Sequence, residues 1–365
     1  MDELNRLLGN FGYEPVNESE ISRIPITTRK DILQFKYEQC KQKPLWIVNT
    51  SGSMGYPTLL YMSKEAHNKQ IMRARKMLDI VGITNNDIMA NVLDNPFVNF
   101  ATIDGDIPYL DCGLFTPASR DLILYKMKTI KPTVLVALTT MAFDLLESLQ
   151  RNDIFNKLVL VGSLTTPSYK ARLKELSGAD IHMLYGCTEV GVIAAQRSED
   201  DEWYEIIDEG LYLEVLHDDG STARTGTGRL LITDLYNYSM PLIRYDVGDK
   251  VAVRDEGGVR QLRVLCRLGD HVKVSGDLAA EKNIVEAVMN ILGHDDFIVE
   301  ILHNQATLKD SMSVYLPERD MGKKESLISS LAAQYHIHVI VSQLNSPVPR
   351  TESGKRKNIV DKRFT

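Results

Sequence analysis

The sequence is poor in several things, and each shortage excludes a class. Its four cysteines, Cys40, Cys112, Cys187 and Cys266, stand far apart with no C-x-x-C pair. That spacing argues against a zinc knuckle or a disulfide framework and fits reduced thiols. Met1-Asp2-Glu3-Leu4 opens no basic stretch followed by an apolar run, so no secretion signal is expected. No apolar stretch approaches membrane-spanning length, so no membrane partner is expected and the expected location is the cytoplasm. Positive charge is not in excess: Lys+Arg is 42 against Asp+Glu 49, which argues against a nucleic-acid-binding surface. Internal repeats and low-complexity tracts are absent.

What remains is the composition of a soluble globular chain, 44% hydrophobic and 25% charged. Its 365 residues exceed one ordinary core, so two domains are expected. Residues 1–44 read as short helices with breaks, a threonine cap preceding Asp31-Ile32-Leu33. Leu45 to Val48 reads as a buried strand, and Ser63 caps a helix reaching Val81 with Ala66 at its third position. Further strands are expected at Ile88–Leu93, Lys131–Leu138 and Lys157–Gly162, with helices from Met141 and after Pro167. Apolar strands alternating with helices predict an α/β fold with a mixed or mostly parallel sheet. From Trp203 the texture turns to short strands, a β-rich subdomain. Beyond Arg267-Leu268-Gly269-Asp270 follows a small α+β unit whose last strand is expected at His336–Val341.

The stretch around which the chain is organised is Asn49-Thr50-Ser51-Gly52-Ser53-Met54-Gly55-Tyr56-Pro57. Its glycines free the backbone, and Thr50, Ser51 and Ser53 add hydroxyl donors, a composition able to wrap phosphate oxygens. It is not a Walker A loop, because no Gly-Lys-Ser/Thr follows, and it lacks the G-x-G-x-x-G spacing of a dinucleotide fingerprint. An ordinary glycine-serine loop has the same look.

Four further stretches add to it. They are Tyr185-Gly186-Cys187-Thr188-Glu189, Met240 to Asp249 with Pro-Leu-Ile-Arg-Tyr before Gly-Asp, Arg267 to Gly276, and Pro349-Arg350-Thr351-Glu352-Ser353-Gly354-Lys355. In this order and spacing they resemble the AMP-forming, adenylate-forming superfamily of acyl-CoA synthetases and adenylation domains, and look most like its phenylacetate-CoA ligase-like members. The resemblance runs from about Ile24 to the end. It implies a large N-terminal α/β domain with a β-rich subdomain, residues 1–268, and a small mobile C-terminal α+β domain, residues 269–365, that carries the catalytic lysine.

The resemblance also implies roles. Thr50, Ser51, Gly52, Ser53 and Gly55 would hold the β- and γ-phosphates of ATP. Tyr185 and Gly186 would pack on adenine, with Gly162 and Ser163 on its other side. Thr188 would bind a phosphate oxygen, Glu189 would hold Mg²⁺, Asp249 would take the ribose hydroxyls and Arg267 would support ribose or phosphate. Lys355 would reach the substrate carboxylate and the α-phosphate, and Gly269 and Asp270 would form the hinge. Taken singly, each has a plain structural explanation: a core tyrosine, an exposed acid, a turn aspartate, a surface lysine. Cys187 reads as a small packing residue, since the reaction needs no enzyme thiol. Three positions depart from the pattern: Thr58 where lysine is frequent, Cys266 for glycine, and Gly269 for the acidic hinge residue.

The implied activity joins a carboxylic acid, aromatic or small, to AMP with release of pyrophosphate. The acyl group then passes to the thiol of CoA or of an acyl-carrier-protein phosphopantetheine arm. An amide ligase, an AMP-transferring enzyme and a non-catalytic nucleotide-binding homologue are the rival readings. A homodimer is left open.

Overall fold

The computed structural model describes residues 1–49, 58–93, 102, 106–116, 118–149, 154–161, 167–268, 271–274, 277–304, 309–335, 337–349 and 358–362. By contact the chain divides into two compact units, Met1–Gly162 with Ser177–Arg267, and Ser163–Leu176 with Leu268–Thr365.

The first unit opens with helices α1 (Asp2–Asn10) and α2 (Arg29–Gln34). The Asp31 carboxylate accepts from the Thr28 N–H at 2.7 Å and from its hydroxyl at 2.6 Å, which closes the start of α2 as the capping pattern predicts. Leu4, Leu7 and Leu8 of α1 bury against Ile21, Ile24, Tyr238 and Ile243.

Strand β1 (Trp46–Asn49) corrects an expectation. It does not lie in the core sheet but pairs antiparallel with β2 (Leu59–Met62), Trp46 opposite Met62 and Asn49 opposite Leu59, in a sheet of two strands. Trp46 and Val48 turn toward Met62 and Ala66, while Ile47 is 52% exposed. The uniformly apolar spelling of Leu45–Val48 hid a strand with only one covered face. In sequence, the glycine-rich stretch runs on from the end of β1 toward the start of β2, and its residues 50–57 lie outside the described residues. Helix α3 (Lys64–Val81) follows, its Ala66 N–H donating to the Ser63 hydroxyl oxygen at 3.2 Å, and it stops at Gly82 in the left-handed region.

Among the described residues the main sheet has twelve strands. Strands β3 (Met89–Asn91), β4 (Tyr109–Asp111), β5 (Val134–Leu138), β6 (Lys157–Val161) and β7 (Asp180–Cys187) run parallel in the order β7-β6-β5-β3-β4. Val134 to Leu138 are buried without interruption, the signature of a strand covered on both faces. Helices α4 (Arg120–Ile130) and α5 (Thr139–Leu149) belong to the same unit, and α6 (Pro167–Ser177) falls at the chain segment grouped with the second.

The β-rich stretch is continuous with this sheet. From β7 the order continues through β8 (Gly191–Ala195), β9 (Tyr204–Ile206), β14 (Val259–Arg267), β13 (Tyr245–Glu256), β12 (Gly226–Asp234), β10 (Leu211–Leu216) and β11 (Thr222–Ala223), all antiparallel. A shared core of Val190, Ile193, Leu213, Leu230, Val251 and Leu262 packs this antiparallel wing. Arg244 is locked within it. Its Nε lies 3.1 Å from Glu214, both side chains being nearly inaccessible, and its Nη1 donates to the Ile24 carbonyl at 2.6 Å.

The second unit holds the hairpin β15 (His271–Val274) and β16 (Asp277–Ala280) and a four-stranded sheet. In that sheet β17 (Ile298–Asn304) and β18 (Lys309–Leu316) are flanked by β19 (His338–Gln343) and β20 (Ile359–Asp361), in the order β19-β18-β17-β20. Helices α7 (Glu281–Leu292) and α8 (Lys324–Tyr335) bury Ile284, Val288, Leu327 and Leu331 with this sheet's inner face. The strand near His336–Val341 is not the last. The three-residue β20 pairs parallel with β17 after the Lys355 segment, and its brevity gives no alternation to read.

Candidate nucleotide site

The site is built where β7 turns back into β8. Residues 188–190 make the turn, with Thr188 exposed, Glu189 half-buried and Val190 fully buried. Two glycines make it this tight. A Cβ on Gly186 would lie 2.4 Å from the Gly191 carbonyl oxygen and 3.2 Å from the Val192 Cα, so only glycine fits. Gly191 closes the turn at φ +79°.

Strand β13 supplies the other half. Asp249 is 5% exposed and pairs in register with Arg267 on β14. The Tyr185 hydroxyl donates to Asp249 Oδ2 at 2.7 Å, and Arg267 Nη1 lies 3.4 Å from Oδ1. The Tyr245 hydroxyl donates to Glu189 Oε1 at 2.9 Å. Each strand thus lends a phenol to the carboxylate of the other. Tyr185 stands four residues ahead of Glu189, and Tyr245 four ahead of Asp249.

The electrostatics keep these roles fixed. Burial, then the Asp249 charge, pushes the Tyr185 phenol well above its ordinary range, and burial, then Glu189, does the same for Tyr245. Both phenols stay protonated and serve only as donors. Burial and Glu189 push the Cys187 thiol up as well, so no thiolate forms there, in keeping with a packing role. An ionised carboxylate can accept several hydrogen bonds, a chemistry suited to a ligand's paired hydroxyls. Glu189 and the Thr188 hydroxyl are hard oxygen donors, suited to a Mg²⁺ whose other ligands are phosphate oxygens.

Of the residues proposed from sequence, Tyr185 and Gly186 on β7, Thr188 and Glu189 in the turn after it, Asp249 on β13 and Arg267 on β14 all belong to one sheet and its turn, and the bonds of Tyr185 to Asp249 and Arg267 to Asp249 join them. Thr50, Ser51, Gly52, Ser53, Gly55, Gly162, Ser163, Gly269, Asp270 and Lys355 lie outside the described residues. Thr58, standing where lysine is frequent, is buried at 2% exposed, a place unsuited to an ammonium group. Tyr245 was missed. It lies inside the Pro-Leu-Ile-Arg-Tyr stretch, but its bond to Glu189 shows only once the fold brings β13 to the turn after β7.

No family model matches the chain, and no curated protein sequence matches it. Solved structures do. 2-Hydroxyisobutyryl-CoA ligase in the postadenylation state, in complex with R3-HIB-AMP, superposes with a TM-score of 0.78 at 14% identity, covering 99% of this chain and 85% of that one. The same ligase with 2-HIB-AMP and CoA in the thioesterification state gives 0.61 at 16% identity, covering 99% and 86%. The amide bond synthetase McbA from Marinactinospora thermotolerans gives 0.61 at 18%, covering 88% of this chain and 68% of that one. The anthranilate CoA ligase AuaEII, in complex with anthranoyl-AMP, gives 0.63 at 16%, covering 85% and 64%. The chain has the fold these AMP-forming ligases share.

Proposed function

We propose that this chain, with the fold of the adenylate-forming ligases, activates a carboxylic acid as its acyl adenylate and passes the acyl group to a thiol. The observation that carries the reading is the exchanged pair of bonds, Tyr185 to Asp249 and Tyr245 to Glu189. It joins an acceptor suited to ribose hydroxyls and a carboxylate suited to a phosphate-bound cation in one small region.

In the first half-reaction the carboxylate oxygen attacks the α-phosphorus of ATP, the bond to the bridging oxygen breaks, and pyrophosphate leaves. Both reactants are anionic, so repulsion is the main barrier. Asp249 and Tyr185 hold the nucleoside, and Thr188 and the Thr50–Gly55 hydroxyls and amides bind phosphate oxygens. Lys355 offsets charge where carboxylate and α-phosphate meet. Glu189 would hold Mg²⁺, which would neutralise phosphate charge when bound. Alignment in the pocket adds an entropic advantage. In the second half-reaction a thiol attacks the acyl carbon and AMP departs. Residues 269–365 act as the mobile domain, turning about Gly269 and Asp270 to withdraw Lys355.

CoA is the favoured thiol, supported by the ligase neighbour seen with CoA. A carrier-protein phosphopantetheine arm presents the same group. The acid is expected to be aromatic or small, as for phenylacetate-CoA ligase-like enzymes, and the expected setting is the cytoplasm. A second reading, amide formation with an amine acceptor, is favoured by the amide bond synthetase among the neighbours. The test is ATP–pyrophosphate exchange across a library of carboxylic acids. Exchange that depends on one class of acid is expected. A folded protein that binds ATP and shows no exchange with any acid would overturn the reading.

A further inference from the structure

The face of α3 turned to the core is polar where an apolar one would be expected. His67, Gln70 and Arg73 are buried along it, beside Ala66, Ala74 and Met77. Arg73 is wholly inaccessible. Its Nη2 donates to the Val190 carbonyl at 2.5 Å and its Nη1 to the Glu209 carbonyl at 2.8 Å. The acidic group that acts on it most strongly is Asp234, 1% exposed on β12, whose Oδ1 accepts from the Tyr236 N–H.

Val190 is the last residue of the turn that carries Thr188 and Glu189. Its side chain is fully buried, so the turn is anchored from below by side chain and carbonyl together. The next residue, Gly191, presses on the same helix: a Cβ there would lie 3.0 Å from Gln70 Oε1. Helix α3 is thus the floor against which the turn is set. At its other end His67 stacks on Trp46 of β1, rings 5.7 Å apart and 7° from parallel, and β1 leads into the Thr50–Gly55 stretch.

Stability alone is a weak reason for a buried guanidinium. Its desolvation penalty is large, and well-packed apolar residues commonly replace buried charges without loss. What a planar fork adds is geometry, because two donors in one rigid group fix two carbonyls at a set separation. Here one carbonyl belongs to the turn. The other belongs to Glu209, which is tied to α3 again through Lys69 and Lys76.

We propose that Arg73 is a positioning residue for the Thr188–Glu189 turn, setting where its hydroxyl and carboxylate meet the nucleotide's phosphates and their cation. The inference rests on the adenylate-forming reading of the site. It separates two kinds of effect, since Arg73 bears on the phosphate and cation end through Val190, its side-chain donors going to the Val190 and Glu209 carbonyls.

The experiment compares wild type, Arg73→Lys, Arg73→Met and the control Lys76→Ala by calorimetric titration with ATP, once with Mn²⁺ and once with the metal removed. In wild type Mn²⁺ should tighten ATP binding. In Arg73→Met that gain should shrink about tenfold, the scale of losing a group that orients a metal's ligands, while metal-free ATP affinity stays within about twofold. Arg73→Lys, able to donate to one carbonyl, should fall between. Lys76→Ala should lower the melting temperature and leave both affinities as in wild type. Should Arg73→Met fail to fold, Arg73→Lys decides. Parallel loss of both affinities in Arg73→Lys, or an unchanged gain from Mn²⁺, would overturn the inference. A wild-type protein that binds no ATP would overturn the functional reading itself, and this inference with it.

Discussion

The Tyr185 hydroxyl reaches across from β7 to Asp249 on β13 at 2.7 Å, and the Tyr245 hydroxyl returns the bond to Glu189 at 2.9 Å. The first bond makes Tyr185 more than a stacking ring. Tyr185→Phe keeps the ring and removes the donor that aims Asp249, so ATP binding should weaken about tenfold to a hundredfold, the worth of one hydrogen bond to a charged group. Asp249→Ala should weaken it further while leaving the fold intact. Calorimetry with ATP measures both. Phenylalanine behaving as wild type would reduce Tyr185 to its ring, and equal affinity for Asp249→Ala would remove the ribose assignment.

The second bond concerns rate. Glu189→Gln should fold normally yet lower the rate of adenylation by about 3 kcal/mol of transition-state stabilisation, roughly a hundredfold. Tyr245→Phe leaves the carboxylate but not its aim, and should lower kcat with a smaller change in KM for ATP. Pyrophosphate exchange reads both variants. An unchanged rate in Glu189→Gln would take that residue out of the site.

Gly186 is the strictest position in the turn. Alanine there would drive its Cβ to 2.4 Å from the Gly191 carbonyl, a backbone atom that cannot rotate away. Gly186→Ala should lose about 1–3 kcal/mol of stability, as overpacking does, and lose exchange activity with it. Thermal unfolding beside a pyrophosphate-exchange assay would show a normal variant if the turn were pliable.

Glu209 gives a pH dependence. The hydrogen bond from Lys69, with help from Lys76 against the opposing effect of burial, holds its carboxyl below the ordinary value of 4.5. The folded-state value is the depressed one, so this contribution is fully present above about pH 4.5 and is lost as pH falls through the folded value. Glu209→Gln should therefore be less stable than wild type at pH 7, by about 1 kcal/mol for a pair of this exposure. The difference should close as pH approaches 2. Urea melts of both proteins across that range measure it, and a gap that persists at pH 2 would show that the loss is not electrostatic.

The parts legible in the sequence were those with local signals. The Ser63 cap, the threonine cap ahead of α2 and the apolar runs at Val134–Leu138 and Lys157–Val161 all formed where expected, because caps and uninterrupted burial depend on near neighbours. Leu45–Val48 was misplaced, since four apolar letters do not say whether one face or two will be covered. The continuity of the β-rich stretch with the parallel sheet was also beyond reach, resting as it does on the short strand Tyr204–Ile206 paired to both sides. At the site the motif spelled Tyr185, Thr188, Glu189 and Asp249 but gave no hint that Tyr245 serves Glu189. Arg73 was hidden for another reason. Arg73-Ala74-Arg75-Lys76 reads as a solvated helix face, and only the rotation of α3 places Arg73 inside.

The central claim is that acid activation and acyl transfer are separable steps, with Lys355 serving the first. The most direct measurement takes the two half-reactions apart in wild type, Lys355→Ala and Gly269→Pro, using the active acid and ATP for one and chemically made acyl adenylate with the thiol for the other. Lys355→Ala should slow adenylation by about two orders of magnitude, as for a lost stabiliser of about 3 kcal/mol, and should still form thioester from the adenylate at a near-native rate. Gly269→Pro, with a fixed φ at the proposed hinge, should show the reverse. Equal damage to both half-reactions in Lys355→Ala would contradict the account.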